Sequence, residues 1–163
     1  MRSVEDQNIS NSITIRDATL DDVDSIYGLM DPYVKTGDLL PRTKDDISDH
    51  IRNFIVAQYD GEIVGCMAIK FYSKEMTEFR TLVVSEKFQG RGIGRRLVEK
   101  GLEIVRSLGV KRVFVLTRSE EFFKKIGFET VVKEIFPEKV WNDCILCPKL
   151  NSCDEIAMIK RLA

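Results

Sequence analysis

The chain has 163 residues, 44% of them hydrophobic and 31% charged, with a formal charge of -1 and a pI near 5.9. That is the size of one domain with an ordinary core. The charge balance argues against nucleic acid as the main partner, because phosphate backbones are bound by strongly basic faces. The longest apolar run, residues 63–69, is too short to span a bilayer, and the polar first twelve residues lack a signal-peptide pattern. The expectation is a flexible segment over 1–12, then one domain over 13–163, cytoplasmic and without membrane contact.

Residues 13–18 alternate as an opening strand would. Thr19 with Asp22 predicts a capping box for a helix that carries Val23, Ile26, Tyr27 and Met30 on one face. Pro32, Gly37 and Pro41 mark residues 31–42 as a loop, and Thr43 with Asp46 predicts a second cap. Residues 54–59 and 62–72 are β-rich and joined by Asp60-Gly61, a strong hairpin signal. A strand over 78–84 follows, then a polar turn, three glycines, and a helix with Ile93, Leu97, Val98, Leu102, Val105 and Leu108 at helical spacing, ended by Gly109. Residues 112–117 predict a buried strand. Ser119 predicts the cap of a short helix through Phe122, Phe123 and Ile126, closed by Gly127, and strands follow over 128–134 and 154–161. The order β-α-α-β-β-β-α-β-α-β-β makes an α/β domain on one mixed sheet.

The stretch 89–94, Gln-Gly-Arg-Gly-Ile-Gly, lies between a strand and a helix. Such a turn leaves several backbone N–H groups aimed at one spot, where the helix dipole adds positive charge, and this binds phosphate. The dinucleotide fingerprint fails, because the sixth position from Gly90 is Arg95, and no Lys-Ser or Lys-Thr completes a P-loop. Gln89, Gly92 and Gly94 match the Gln/Arg-x-x-Gly-x-Gly/Ala signature, so the loop resembles the pyrophosphate loop of the GNAT superfamily of acyl-CoA-dependent N-acyltransferases. The predicted element order is also that of the GNAT fold. The resemblance implies a mostly antiparallel sheet of about seven strands, helices on both faces, and a splay between the fourth and fifth strands that admits the pantetheine arm.

The resemblance implies acetyl-CoA as co-substrate with no metal required. It assigns cofactor binding to Leu82, Val83 and Val84, whose backbone would polarise the thioester carbonyl, and to Gln89, Gly90, Arg91, Gly92, Ile93, Gly94 and Arg95. Cations at a helix start oppose the dipole, so Arg91, Arg95 and Arg96 are better explained beside a bound anion. Amine acetylation needs a base, for which Glu78 is the candidate, and a proton for the leaving thiolate. Many family members carry a tyrosine four residues before the Gly-Phe pair. Here that position is Phe123, which the resemblance keeps among the cofactor-binding residues, so Thr117 becomes the hydroxyl to consider.

The motifs at 39–46 (LLPRTKDD), 79–84 (FRTLVV) and 136–158 further resemble the short, stand-alone N-acetylglutamate synthases of bacterial arginine biosynthesis. They imply L-glutamate as acceptor. A dicarboxylate needs fixed cations, and arginine grips carboxylates bidentately. Arg42 in the loop and Arg80 on the fourth strand are the main candidates, with Lys70, Arg118 and Lys139 behind them. Arg80 follows Glu78 by two and shares its face, so the two could equally form a salt bridge. Cys144, Cys147 and Cys153 have metal-ligand spacing but no local fourth ligand, and Trp141 beside them reads as packing. His50 reads as a surface residue. Another amino acid, a polyamine or a protein amine as acceptor, or a non-catalytic sensor of coenzyme A or metal, remain the competing readings. A homodimer is admitted by the sequence but not indicated by it.

Overall fold

The computed structural model describes residues 8, 9, 12–132 and 155–162. The expectations on Lys139, Trp141, Cys144, Cys147 and Cys153 lie outside the described residues. Asp60 and Gly61, both at positive φ (48° and 79°), turn β2 (Phe54–Tyr59) back into β3 (Glu62–Ser73). β1 (Thr14–Asp17) pairs with β2, and β4 (Met76–Val84) with β3, all antiparallel. β5 (Arg112–Thr117) lies parallel to β4, β7 (Ile156–Arg161) is antiparallel to β5, and β6 (Glu129–Val131) forms the far edge. The seven-stranded sheet runs β1-β2-β3-β4-β5-β7-β6. Among the described residues from Thr14 onward the expected element order holds.

Helices cover it, and those with described bounds are α1 (Val23–Lys35), α2 (Lys44–Asp49), α3 (Ile93–Ser107) and α4 (Glu120–Lys125). Ile26, Met30 and Ile47 of α1 and α2 pack with Phe54, Val56, Cys66 and Ala68 on one face of the sheet. Leu97, Val98, Leu102 and Val105 of α3 pack with Phe79, Val113, Val115 and Met158 on the other. Gly101 faces that second core, where a Cβ would lie 2.5 Å from Met67 Cε and 2.9 Å from the Phe79 ring. The helix therefore rides close to the sheet. Gly101→Ala is expected to lose stability by about 1–3 kcal/mol through overpacking despite alanine's better helix propensity, read in a urea melt.

At the start of α1 the expected capping box forms, although the first turn, Leu20–Asp22, is a 3-10 turn. The Thr19 N–H donates to Asp22 Oδ2 at 2.7 Å, and Arg16 donates to both oxygens of the same carboxylate at 2.8 and 2.9 Å. The Arg16 hydrogen bonds hold the buried Asp22 carboxyl below its ordinary pKa. A depressed carboxylate stabilises the fold above its unfolded pKa and loses that contribution as pH falls through the folded value. Asp22→Asn should therefore cost about 1–3 kcal/mol at neutral pH, and the gap to wild type should close as pH falls below about 4 in pH-dependent denaturation.

Two expectations change. The loop predicted over 31–42 shrinks to 36–42, because α1 runs through Pro32 to Lys35. Pro32 sits in the last turn and forgoes one bond to the preceding turn, while its carbonyl accepts from Thr36 and an Asp31–Lys35 ion pair spans the turn. Ser119 makes no side-chain cap to α4; its N–H donates to Thr117 Oγ1 instead.

Candidate active site

The parallel pair β4–β5 is in register only at Thr77↔Val113 and Glu78↔Phe114. Beyond that point β4 runs on to Val84 and β5 to Thr117 without a shared register pair, so the sheet opens into a split whose closed end is Glu78 and Phe114. Glu78 was expected at the start of its strand near the splayed end. It lies two residues inside β4 at the vertex, and is 5% exposed.

The β4 strand carries a bulge that no periodicity predicted. Cys66 pairs with Val83 but Ala68 with Arg80, leaving one extra residue on β4, and Thr81 takes a φ of 55°. For a β-branched residue that is a strained conformation of the kind found at functional sites. The bulge reverses the alternation. Before it, Glu78 and Arg80 face the α1–α2 side; after it, Val83 faces that side, and Leu82 and Val84 pack toward α3. The 82–84 backbone, expected to polarise a carbonyl, thus borders the split on a re-aimed strand.

On the α1–α2 face the register sets Lys70 opposite Glu78 and Glu78 beside Phe114. Tyr72 Oη donates to Glu78 Oε1 at 3.3 Å, Arg80 Nε lies 3.6 Å from the same oxygen, and the Lys70 ammonium sits 5.1 Å from the Tyr72 ring centre. The salt-bridge reading and the shared-face reading of Glu78 and Arg80 both hold. Arg42 lies over the Phe54 ring at 4.9 Å, and Phe54, Ala68 and Arg80 are neighbours in register across three strands. Arg42 and Arg80 therefore share a face, with Phe54, beneath Arg42, two strands from Arg80, roughly 10 Å by strand spacing. Arg42 Nε donates to Asp46 Oδ2 at 2.7 Å, which fixes the guanidinium. Burial raises the Asp46 pKa, but the hydrogen bonds and charges of Arg42 and His50 outweigh it and hold the carboxyl below its usual value. His50, half-exposed, lies 3.0 Å from Asp46 Oδ1. Below this group Cys66 is wholly buried and its thiol is pushed up to about 12 by burial.

At the open end of the split, Gly90 and Gly92 have φ of 78° and 80°, and Gly92 is the left-handed N-cap of α3. The first α3 amide to bond back is that of Arg96, to the Gly92 carbonyl, so the earlier N–H groups point out of the helix start. Ile93 is buried beneath the loop, and a Cβ on Gly94 would meet the Phe122 ring at 3.3 Å, so helix and loop pack tightly there. Gln89 is exposed and reaches back to α1 and the end of β4: its Nε2 donates to Tyr33 Oη at 3.0 Å and to the Val84 carbonyl at 3.1 Å.

The arginines of this region part company. Arg91 lies over Phe88 and donates to the Lys87 carbonyl, beside the glycines. Arg95 pairs with Glu99 at 2.7 Å on the exposed helix face, and Arg96 reaches away to the Ile13 carbonyl at 3.0 Å, fastening β1. Arg118, at the end of β5, bonds to Asp38 of the 36–42 loop at 3.4 Å. Thr117 is buried with its Oγ1 accepting the Ser119 N–H at 2.8 Å, which leaves its own hydroxyl proton to donate. Phe123 is 5% exposed in the core, edge-on to Phe122 and Phe128.

Sequence reasoning missed Tyr33, Tyr72, Asp38 and Asp46. Tyr72 could have been found, since it follows Lys70 by two on a strand facing Glu78; nothing local marks Tyr33. Among the described residues, no group of three His, Cys, Asp or Glu could hold a metal, and no helix is long and apolar enough to cross a membrane.

The sequence profile of the Acetyltransferase (GNAT) family matches residues 20–128. An uncharacterized N-acetyltransferase of Chlorobaculum tepidum is 46% identical over 91% of this chain and 96% of its own length. The amino-acid acetyltransferase of Ralstonia nicotianae is 41% identical over 78% of the chain, which spans only 30% of that protein. The N-acetylglutamate synthase of Neisseria gonorrhoeae, solved with coenzyme A and N-acetyl-glutamate, superposes with a TM-score of 0.82 at 31% identity, over 93% of this chain and 35% of that one. The split sheet, the glycine turn at its mouth and these relationships agree, and the chain belongs to the GNAT family of acetyl-CoA-dependent N-acetyltransferases.

Proposed function

We propose that the protein acetylates the α-amine of L-glutamate by direct transfer within a ternary complex. The observation that carries this reading is the face on which Glu78, Arg80, Lys70 and Arg42 converge, one carboxylate at the vertex of the split and three cations around it. A cationic acceptor such as a polyamine would meet repulsion there. The relatives named as amino-acid acetyltransferase and N-acetylglutamate synthase support the same acceptor.

Acetyl-CoA supplies the activated acetyl group. The 89–94 turn, with the outward N–H groups of Gly92 to Arg95 and the nearby Arg91, fits its pyrophosphate. The pantetheine arm enters between β4 and β5 where their pairing has ended, and the 82–84 backbone borders that opening. Arg80 and Arg42 hold the two carboxylates of the acceptor, with Lys70 and Arg118 adding positive charge. Glu78 takes the proton that the amine must lose, and Tyr72 orients the carboxylate for it. The Thr117 hydroxyl, which accepts the Ser119 N–H, donates a hydrogen bond to the departing thiolate and stabilises its charge, and the thiolate takes its proton from solvent.

The test is thiol release from acetyl-CoA with each of the twenty amino acids, with the acetylated product identified by mass. Strong preference for glutamate supports the assignment. Release without preference, or with a different amine, keeps the family and removes the acceptor.

A further inference from the structure

We propose that Tyr33 is a positioning residue that ties the acceptor loop to the pyrophosphate turn, so that the two binding sites are ordered as one unit. The inference rests on the reading of residues 89–94 as the coenzyme A turn. Tyr33 sits in the last turn of α1, half-buried against the core below. Its hydroxyl accepts from Gln89 Nε2 at 3.0 Å and lies 3.5 Å from the Val84 carbonyl, which Gln89 also reaches at 3.1 Å. The end of β4, the first residue of the signature turn and the end of α1 thus meet at one hydroxyl.

The other end of the same residue organises the loop. The Tyr33 carbonyl accepts the N–H groups of Asp38 and Leu39 at 2.8 and 3.1 Å and the Thr36 hydroxyl at 3.1 Å. Asp38 in turn accepts from Thr36 Oγ1 at 2.7 Å and meets Arg118 at the end of β5. The 36–42 loop therefore spans the mouth of the split, held to the β4 side by the Tyr33 hydroxyl and to the β5 side by Asp38. Its last residue is Arg42. A phosphate that orders the glycine turn removes motion from Gln89, hence from Tyr33, and hence from the loop that carries Arg42. Two sites that share one ordering cost bind with positive cooperativity.

Tyr33→Phe removes the hydroxyl and keeps the ring in its packing. Its Kd for coenzyme A, measured by calorimetry without any acceptor, is expected to rise about two- to tenfold, the range for one lost hydrogen bond. Hydrogen exchange supplies the readout that a purely structural role would not move. In wild type, coenzyme A slows exchange of the Asp38 and Leu39 amides as well as the glycine turn; in Tyr33→Phe it slows the turn alone. Gln89→Leu, which breaks the same link from the exposed side, should give the same separation, and the double variant should show no further loss of loop protection. If Tyr33→Phe does not fold, Gln89→Leu decides alone. A wild type that ignores coenzyme A overturns both the turn assignment and the coupling. A wild type that binds it, with variants that keep loop protection, overturns only the coupling.

Discussion

Glu78→Gln is expected to lower kcat about 10²- to 10⁴-fold, the range for loss of a general base. The change is nearly isosteric, and a glutamine oxygen can still accept the Tyr72 hydroxyl that lies 3.3 Å from Glu78 Oε1. What it removes is a carboxylate at the vertex of the split, 5% exposed and shielded from competing water. Coenzyme A affinity and melting temperature should therefore stay near wild type while turnover collapses. Steady-state thiol release with glutamate checks this. A kcat within a few-fold of wild type would reduce Glu78 to an anchor for Arg80 and leave the proton to water or another group.

Arg80→Ala should instead raise the KM for glutamate about 10- to 100-fold, as expected when a charge-assisted hydrogen bond is lost. Arg80→Lys should recover only part of this, because an ammonium cannot offer the two parallel donors of a guanidinium. The Kd for coenzyme A should not change, since Arg80 shares its face with Ala68 and Phe54 and lies away from the glycine turn. The guanidinium is also 3.6 Å from Glu78. A fall in kcat with an unchanged glutamate KM would mean that Arg80 serves to orient the base and that the acceptor carboxylates bind elsewhere.

Local signals carried most of the architecture. Asp60-Gly61 announced its hairpin because only residues tolerant of positive φ make that turn. Thr43 announced α2 because an uncapped helix start leaves amides unpaired, and its Oγ1 accepts the Asp46 N–H at 3.0 Å. The glycine turn was legible for the same reason, since Gly90 and Gly92 take conformations that side chains resist. In each case the physics acts over a few residues, so the sequence itself records it.

The site was legible in composition but not in arrangement. Glu78, Arg80 and Arg42 were named from the chemistry that the resemblance implies; the register sets Glu78 and Arg80 on one face of the sheet, and Arg42 lies over Phe54 on that face. The departures arose where distant segments compete. The bulge at Thr81 is imposed by pairing with β3 and reverses the face of every residue after it, which a period of two cannot foresee. Phe123 was assigned to the cofactor by its place before the Gly-Phe pair, and only packing decides that its ring lies edge-on to Phe122 and Phe128. Arg96 was grouped with phosphate ligands by proximity in sequence, and helical rotation carries it to β1.

The sequence by itself determined the elements, their order and the glycine turn, because these depend on backbone preference and short-range periodicity, and the family was legible through the resemblance of the 89–94 motif. Only the tertiary structure decided that β4 and β5 part after Glu78, that the strand is re-aimed by a bulge, and that Tyr33 and Asp38 join the two sides of the split. Those features depend on contacts between residues far apart in the chain, whose geometry is set by packing and register rather than by any local preference.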